Sequence, residues 1–366
     1  MNYLLIGPAW VGDMVMAHSL VRRIAQRDLA ANIHMVAPPA TAAIAERMQE
    51  IKRVHVLAIA HGELGLGARW RLGRALSTQH WDQAIVLPNS WKSALLPWFA
   101  NAKQRTGWRG EARYGLLNDS KPLPKAELGL MIERFLALAD LGEPTVTKPY
   151  PHPTLQVDRR QQTQLITEFG LVDNGRSIAL CPGAQFGAAK QWPAQHYAEV
   201  AIHCSALGLQ VWLLGSPADR DICAEIARRC VQAGAQTDLQ DGQSPLGGAA
   251  PILDLCGRTS LLAAVDLLAA ASAVVANDSG LMHVACAVDT PVVALYGSTS
   301  PKFTPPLHEQ AKAISLVTLD GGARRLDCQP CFERICRFGH TNCLTELTPK
   351  AVLHELAQLV VRPVGP

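Results

Sequence analysis

The stretch ASAVVANDSGLMHVACA, Ala271 to Ala287, decides the fold. Ala271 to Ala276 is apolar apart from one serine and reads as a buried strand. Asp278 or Ser279 then supplies an N-cap, and from Leu281 the pattern turns helical. A strand that passes through a short polar turn straight into a helix leaves backbone N–H groups at Ser279, Gly280 and Leu281 unpaired, with the positive end of the helix dipole behind them. Such a turn suits a phosphate, and Gly280 admits an anion close to the backbone. Asp278 would repel a phosphate, so it is read as orienting the loop or accepting from a sugar hydroxyl. His283, one turn in, can donate to a phosphate oxygen or a hydroxyl. The alternative is an ordinary capped helix packed on a sheet.

The same strand-then-helix rhythm runs through the whole chain. Tyr3 to Ile6, Ile33 to Ala37, Val54 to Ile59 and Ala84 to Leu87 read as strands in the first half. Ile178 to Cys181, Val211 to Leu214, Ala273 to Ala276 and Val292 to Tyr296 read as strands in the second. Alternation of short apolar runs with helical patterns predicts α/β architecture, two doubly wound parallel sheets with crossover helices. Between the halves lies KPYPHPTLQV, Lys148 to Val157, whose prolines exclude helix and reduce sheet pairing; it reads as the interdomain linker. An irregular cysteine-bearing stretch, Asp320 to Leu344, and a helix from about Pro349 to Val360 close the chain. If two such domains face one another, the turns at the carboxyl ends of their strands surround one ligand cleft.

With 366 residues and 48% hydrophobic content, the chain exceeds the usual size of a single core, which predicts two domains. Its formal net charge of +3 argues against a general nucleic-acid binder. The start, MNYLLIGPAWVGD, has no basic n-region and reaches a glycine turn early, an expectation of cytoplasmic location. Leu261 to Ala276 is interrupted by Asp266 and is short for a membrane span, so any membrane contact should be peripheral.

The first turn, GPAWVGD (Gly7 to Asp13), lacks GxGxxG spacing and places an acid where a pyrophosphate would sit, so nucleotide binding there is not expected. Gly12 allows close approach. Asp13, at the helix start, is a candidate general base or a helix N-cap. In the second half, PGAQFGAAKQWP (Pro182 to Pro193) follows a strand. Gly183, Ala184 and Gln185 clear space by the backbone, and Lys190 is a cation able to neutralise a departing phosphate; the alternative is a solvated loop lysine. Trp192 reads as a packing anchor beneath the loop. Ser216 and Asp219 in LLGSPADRD, and Arg258 and Thr259 in DLCGRTSL, sit at further strand ends suited to ribose and base. In the first half, Asn89 and Lys92, then Arg105, Arg109 and Arg113 with Trp108 and Tyr114 interleaved, form a basic patch suited to a phosphorylated or carboxylated sugar; a solvated basic loop is the alternative.

Cys328, Cys331, Cys336 and Cys343, with His340 nearby, permit a tetrahedral zinc site, although the spacing is not that of a standard finger or ribbon. Reduced packing cysteines or a disulfide are the readings set against zinc, and no catalytic metal is implied. Cys181, Cys204 and Cys286 lie in apparent strands and helices and read as buried small hydrophobes.

GPAWVGDMVMAHSL, RTGWRGEARYGLLND, PGAQFGAAKQWP, NDSGLMHVA and the cysteine tail together resemble glycosyltransferase family 9, the ADP-heptose:lipopolysaccharide heptosyltransferases. The resemblance spans nearly the whole chain, and WRGEARYGLLND with the cysteine tail favours type II over types I and III. It implies a GT-B fold: an acceptor domain over 1–150, a donor domain over 158–345, and a C-terminal segment, 346–366, whose helix packs back on the first domain. It implies inverting transfer of L-glycero-D-manno-heptose from ADP-heptose to the first heptose of the lipid A-linked inner core, at the cytoplasmic face of the inner membrane, without a cofactor. On these positions Asp13 would be the base, Lys190 would contact the donor phosphates, and Asp278, Ser279, Gly280 and His283 would form the donor motif. An oxidoreductase would need a GxGxxG fingerprint that neither half supplies. A non-catalytic two-domain nucleotide-sugar binder would bind without turnover.

Overall fold

Asn2–Ile6 (β1) is buried at all but its first residue, and after a short turn Val11–Arg27 (α1) buries a run from Met14 to Val21 together with Ile24. The alternation continues through Asn32–Ala37 (β2), Pro39–Glu46 (α2), Ile51–Val56 (β3), Leu66–Leu76 (α3), Gln83–Val86 (β4), Trp91–Phe99 (α4), Gln104–Arg109 (β5), Asp119–Pro122 (β6) and Met131–Leu136 (α5). These strands form one parallel sheet in the order β3-β2-β1-β4-β5-β6. The centre, β1 and β4, is the apolar part. The edges are not: no residue of β3 is fully buried, and β6 ends on Pro122, which lacks a ladder donor and suits an edge.

The chain then repeats the plan with Arg159–Glu168 (α6), Ser177–Cys181 (β7), Ala194–Ala206 (α7), Gln210–Leu213 (β8), Arg220–Gln232 (α8), Ile252–Asp254 (β9), Leu261–Leu268 (α9), Ala273–Asn277 (β10), Gly280–Ala287 (α10), Val292–Leu295 (β11), Lys312–Ile314 (β12), Asn342–Thr345 (α11) and Pro349–Val360 (α12). The second parallel sheet runs β12-β11-β10-β7-β8-β9. Every residue of β7, β8, β10 and β11 is buried, as strands covered on both faces by helices must be. Counted from the first strand of each unit, both sheets have the same doubly wound order. The strand order therefore reverses between β1 and β4 in one unit and between β7 and β10 in the other. Ligands of such sheets gather outside the carboxyl ends of those strands.

This computed structural model describes residues 1–59, 63–140, 146–237, 249–323 and 325–360. It divides into two compact units, Met1–Gln156 and Val157–Pro366. The proline-bearing stretch expected as linker is fastened to the first unit almost to its end. Thr154 N–H donates to His18 Nδ1 (3.1 Å), Gln156 N–H donates to the Arg47 carbonyl (2.8 Å), and Arg22 donates to the His152 carbonyl. His18 itself is buried in α1, with Nε2 2.7 Å from Glu50 Oε2. Asp266, the charge that interrupts the longest apolar tract, is fully buried and accepts the Asp158 N–H (2.8 Å) at the start of α6.

The final helix, α12, belongs to the core of the second unit: Val352 and Leu356 are buried in its core cluster, and the helix packs on α7 beside β10 and β11. The strand at Val54 to Ile59 begins three residues earlier than expected, and the basic segment from Arg105 to Arg109 is a strand, β5, with Thr106, Gly107 and Trp108 buried. Among the described residues no helix is long and apolar enough to cross a membrane.

Candidate functional site

The turns that follow β1, β4, β7 and β10 are the four that flank the two reversal points, and each holds residues singled out in the sequence. After β10, the N-cap of α10 is Ser279, which makes no side-chain capping bond, so Gly280 opens the helix with its first N–H groups outside the helical ladder. Asp278 stands one residue before the cap. It is 4% exposed and paired with Lys190, whose Nζ lies 2.7 Å from Asp278 Oδ2 and 3.1 Å from the Asp278 carbonyl oxygen. Thr304 Oγ1 donates to the other carboxylate oxygen (3.2 Å), and Tyr296 holds Thr304 through its carbonyl.

Lys190 is therefore not the lone, solvated cation that its loop sequence suggests. It is a mostly buried ammonium neutralised in place, and its Nζ also lies 4.8 Å from the centre of the Phe186 ring. The Arg334 guanidinium covers the same ring at 5.2 Å, bringing a second positive charge to this loop. Gly187 is needed here because a Cβ would collide with the Arg334 carbonyl oxygen, which also accepts the Ala189 N–H (3.0 Å).

Asn277, the last residue of β10, is fully buried and joins the two turns. Its Nδ2 donates to the Pro182 carbonyl (2.8 Å), while its Oδ1 accepts from Trp192 N–H (3.2 Å) and Tyr197 OH (3.1 Å). Sequence reasoning quoted Asn277 without giving it a role; a solitary amide ending a buried apolar strand was the signal. Trp192 is fully buried, and its indole N–H donates to the Leu347 carbonyl (2.8 Å), an anchor and not a platform. His283 is 4% exposed. Burial first, and the Lys190 charge, against the pull of Asp278, lower its pKa to about 4, so at neutral pH it is an uncharged imidazole.

Around this centre, Ala184 accepts the Gly187 N–H (3.0 Å) and Gln185 is exposed. Gly183 lies beneath Asp219, where an added Cβ would come 2.6 Å from the carboxyl carbon. Asp219 is committed to its own turn: its Oδ2 accepts from Ser216 N–H (2.9 Å) and Ser216 Oγ (2.6 Å), which fixes both residues. Thr259 is half-buried on the turn after β9. Its neighbour Arg258 lies over the Phe169 ring at 5.1 Å, spending its flat face on the fold. Among the described residues, Cys223, Asp254 and Cys256 bring three possible ligand atoms within 4.8 Å of one another. The Cys256 thiol donates to the Ser216 carbonyl (3.3 Å) and its N–H to Asp254 (3.0 Å), so this buried cluster ties the β8 and β9 turns together. Cys181, Cys204 and Cys286 are buried, and burial pushes their thiols up.

In the first unit, Asp13 is not the N-cap. Trp10 takes that position, and Asp13 and Gly12 lie half-buried in the first turn of α1, where a carboxylate is favoured by the dipole. Gly7, at the end of β1, is tightly packed: a Cβ there would come 2.6 Å from Met14 Cε. Two arginines of the basic patch are engaged by the fold. Arg113 is 4% exposed and donates to the Pro88 carbonyl (2.8 Å), Asn89 Oδ1 (3.2 Å) and the Trp108 carbonyl. Arg105 donates to the Leu116 and Ala102 carbonyls (2.7 and 2.8 Å). Arg113 ties the turn after β4 to β5, and Arg105 ties Ala102, ahead of β5, to the loop leading to β6. Arg109 and Asn89 remain exposed, while Lys92 reaches the Glu63 carbonyl (3.2 Å). Trp108 is buried with its indole on the Arg134 carbonyl, and Tyr114 is exposed.

Residues 69–342 match the family model of glycosyltransferase family 9 (heptosyltransferase). Lipopolysaccharide heptosyltransferase 2 of Salmonella typhimurium is 43% identical over 98% of this chain and 99% of its own length. The protein of the same description from Escherichia coli is 42% identical over 99% of both. A solved structure described as E. coli ADP-heptose lps heptosyltransferase II superposes with a TM-score of 0.83 at 40% identity, covering 99% of each chain.

Proposed function

Because the chain belongs to glycosyltransferase family 9 and is a heptosyltransferase, we propose that it moves a heptose from ADP-heptose to the first heptose of the lipopolysaccharide inner core with inversion at the anomeric carbon. The observation that carries this reading is the Lys190–Asp278 pair beside the amino end of α10, at the strand-order reversal of the second sheet. Backbone amides and a buried ammonium meet there, as a diphosphate leaving group requires.

In this reading the Asp13 carboxylate accepts the proton of the acceptor hydroxyl while its oxygen attacks the anomeric carbon. The bond from that carbon to the diphosphate breaks on the opposite side, and ADP departs with its new charge facing Lys190 and the Ser279 to Leu281 amides. Neutral His283 supplies a hydrogen bond without competing for the phosphate charge. Ser216, Asp219 and Thr259 flank the nucleoside, and Asn89, Lys92 and Arg109 the acceptor.

Peripheral membrane contact belongs to the same proposal. Trp70 and Trp98, both about half exposed, stand on α3 and α4 with exposed Arg71 and Arg74 beside them, a combination suited to an anionic lipid surface. The test of function is ADP release from ADP-heptose with two acceptors. Release with heptosyl-Kdo2-lipid A and not with Kdo2-lipid A supports the reading. Release with the second alone assigns the chain to a type I acceptor, and binding without release makes it a non-catalytic binder.

A further inference from the structure

The buried pair at the centre of the site carries no net charge. Lys190 Nζ is 2.7 Å from Asp278 Oδ2, and His283 beside them is an uncharged imidazole at neutral pH. A departing nucleoside diphosphate is polyanionic, so the pair and the first amides of α10 leave most of its charge unmatched. The Arg334 guanidinium can offset it. Its side chain is exposed, and among the described residues no carboxylate pairs with it.

Arg334 reaches this place on a strap, Arg325 to Thr341, that contains no helix or strand. The strap is tied first to the turn after β11. Gln329 Nε2 donates to the Gly297 carbonyl (2.9 Å), Phe332 N–H donates to the Ser298 carbonyl (2.7 Å), and the Phe332 ring meets Phe303 edge-on at 6.1 Å. Two residues later it is tied to the turn after β7, where the Arg334 carbonyl accepts the Ala189 N–H (3.0 Å) and Gly187 lacks the Cβ that would collide with that carbonyl. In the sheet β10 lies between β11 and β7, so the strap bridges the turn that carries Asp278. There the guanidinium stands 5.2 Å from the centre of the Phe186 ring, and Lys190 Nζ stands 4.8 Å from the same centre. The two cations are no farther apart than those two distances together, a gap that one diphosphate spans with a phosphate on each. A guanidinium over a ring keeps the N–H donors of its rim, in the fork geometry that matches a phosphate.

We propose that Arg334 is a second donor-phosphate ligand, held on the terminal phosphate of ADP, the one that bears the heptose. The assignment rests on the ADP-heptose reading above. The sheet selects the phosphate: the Ser216, Asp219 and Thr259 turns assigned to the nucleoside follow β8 and β9, whereas the strap arrives from the β11 side. When the bond between the anomeric carbon and the oxygen of the terminal phosphate breaks, its electron pair stays on that oxygen and the phosphate gains one negative charge. Arg334 and Lys190 face that charge together, while Asp278 keeps Lys190 in place.

ADP and AMP affinities of the wild-type chain, Arg334→Ala and Arg334→Lys are measured by titration calorimetry at fixed ionic strength, because AMP lacks the terminal phosphate. The strap is tied by the Arg334 carbonyl and not by its guanidinium, so these variants keep the fold. Arg334→Ala should bind ADP about tenfold more weakly and AMP as the wild type does. Arg334→Lys, which keeps the charge and loses the fork, should fall between the two. A wild-type chain that binds neither nucleotide overturns the sugar-nucleotide reading and this assignment with it. Unchanged ADP affinity in Arg334→Ala overturns the assignment alone. Equal losses of ADP and AMP also overturn it, since they mark a strap that only steadies the Lys190 loop.

Discussion

Replacing Lys190 by alanine tests the centre of the site through two separable quantities. At 2.7 Å, two unit charges attract by about 6 kcal/mol at the effective dielectric of about 20 that suits protein sites. Much of that offsets desolvation, since Asp278 is 4% exposed. What matters for the variant is the carboxylate left behind: an unpaired buried charge costs roughly 3–5 kcal/mol. Thr304 still donates to Asp278, which places the expected loss of stability at the low end, about 3 kcal/mol. Removing the charge as well, in Lys190→Ala with Asp278→Asn, should restore about 2 kcal/mol of it, a coupling typical of groups in direct contact. The assay is equilibrium urea denaturation of the wild-type chain, both single variants and the double variant. ADP affinity, measured by titration calorimetry, should fall in Lys190→Ala by about 10–100-fold, the worth of one charged hydrogen bond of about 1.5–3 kcal/mol. The double variant should not recover it. Strictly additive stabilities would refute the buried pair, and unchanged ADP affinity would remove Lys190 from the donor site.

Asp13→Asn keeps the size of the side chain and removes the proton acceptor. ADP binding should be retained while turnover falls by about 10²–10⁴; near-normal turnover would end its assignment as base. His283 is held neutral by burial, with a pKa of about 4 against an ordinary 6.5. Its contribution to stability is complete above pH 6.5 and declines as pH falls toward 4, because only the unfolded chain takes up the proton in that window. His283→Gln should flatten the acid limb of the stability curve by up to about 1.4 kcal/mol per pH unit, and an unchanged slope would exclude the histidine as its source. Gly187→Ala forces the Lys190 loop away from Arg334 and should weaken ADP binding as well as stability; wild-type values for both would mean that the contact is dispensable. Trp70→Ala with Trp98→Ala should reduce sedimentation with phosphatidylserine-containing vesicles while leaving ADP affinity intact, and undiminished sedimentation would place membrane contact elsewhere.

Most of the fold was legible in the sequence because parallel strands covered on both faces must be continuous apolar runs, and Ile178 to Cys181 and Ala273 to Ala276 are unmistakable ones. The missed strands lie toward the edges or carry charge. β5 ends in Arg109, β6 is polar, and β9 and β12 have three residues each. What the sequence by itself determined is which turns matter, since glycine, proline and polar residues after an apolar run mark strand ends whatever the rest of the chain does. It also fixed the residue types available there: one lysine, several acids and a helix start. Only the tertiary structure decided how those residues spend their charge. Asp278 and Lys190 are 88 positions apart and meet only because β7 and β10 are neighbours at the strand-order reversal. Arg113 and Arg105 look the same in sequence as Arg109. Their donors face backbone carbonyls around β4 and β5, and these charge-assisted bonds offset part of the cost of holding a guanidinium away from water.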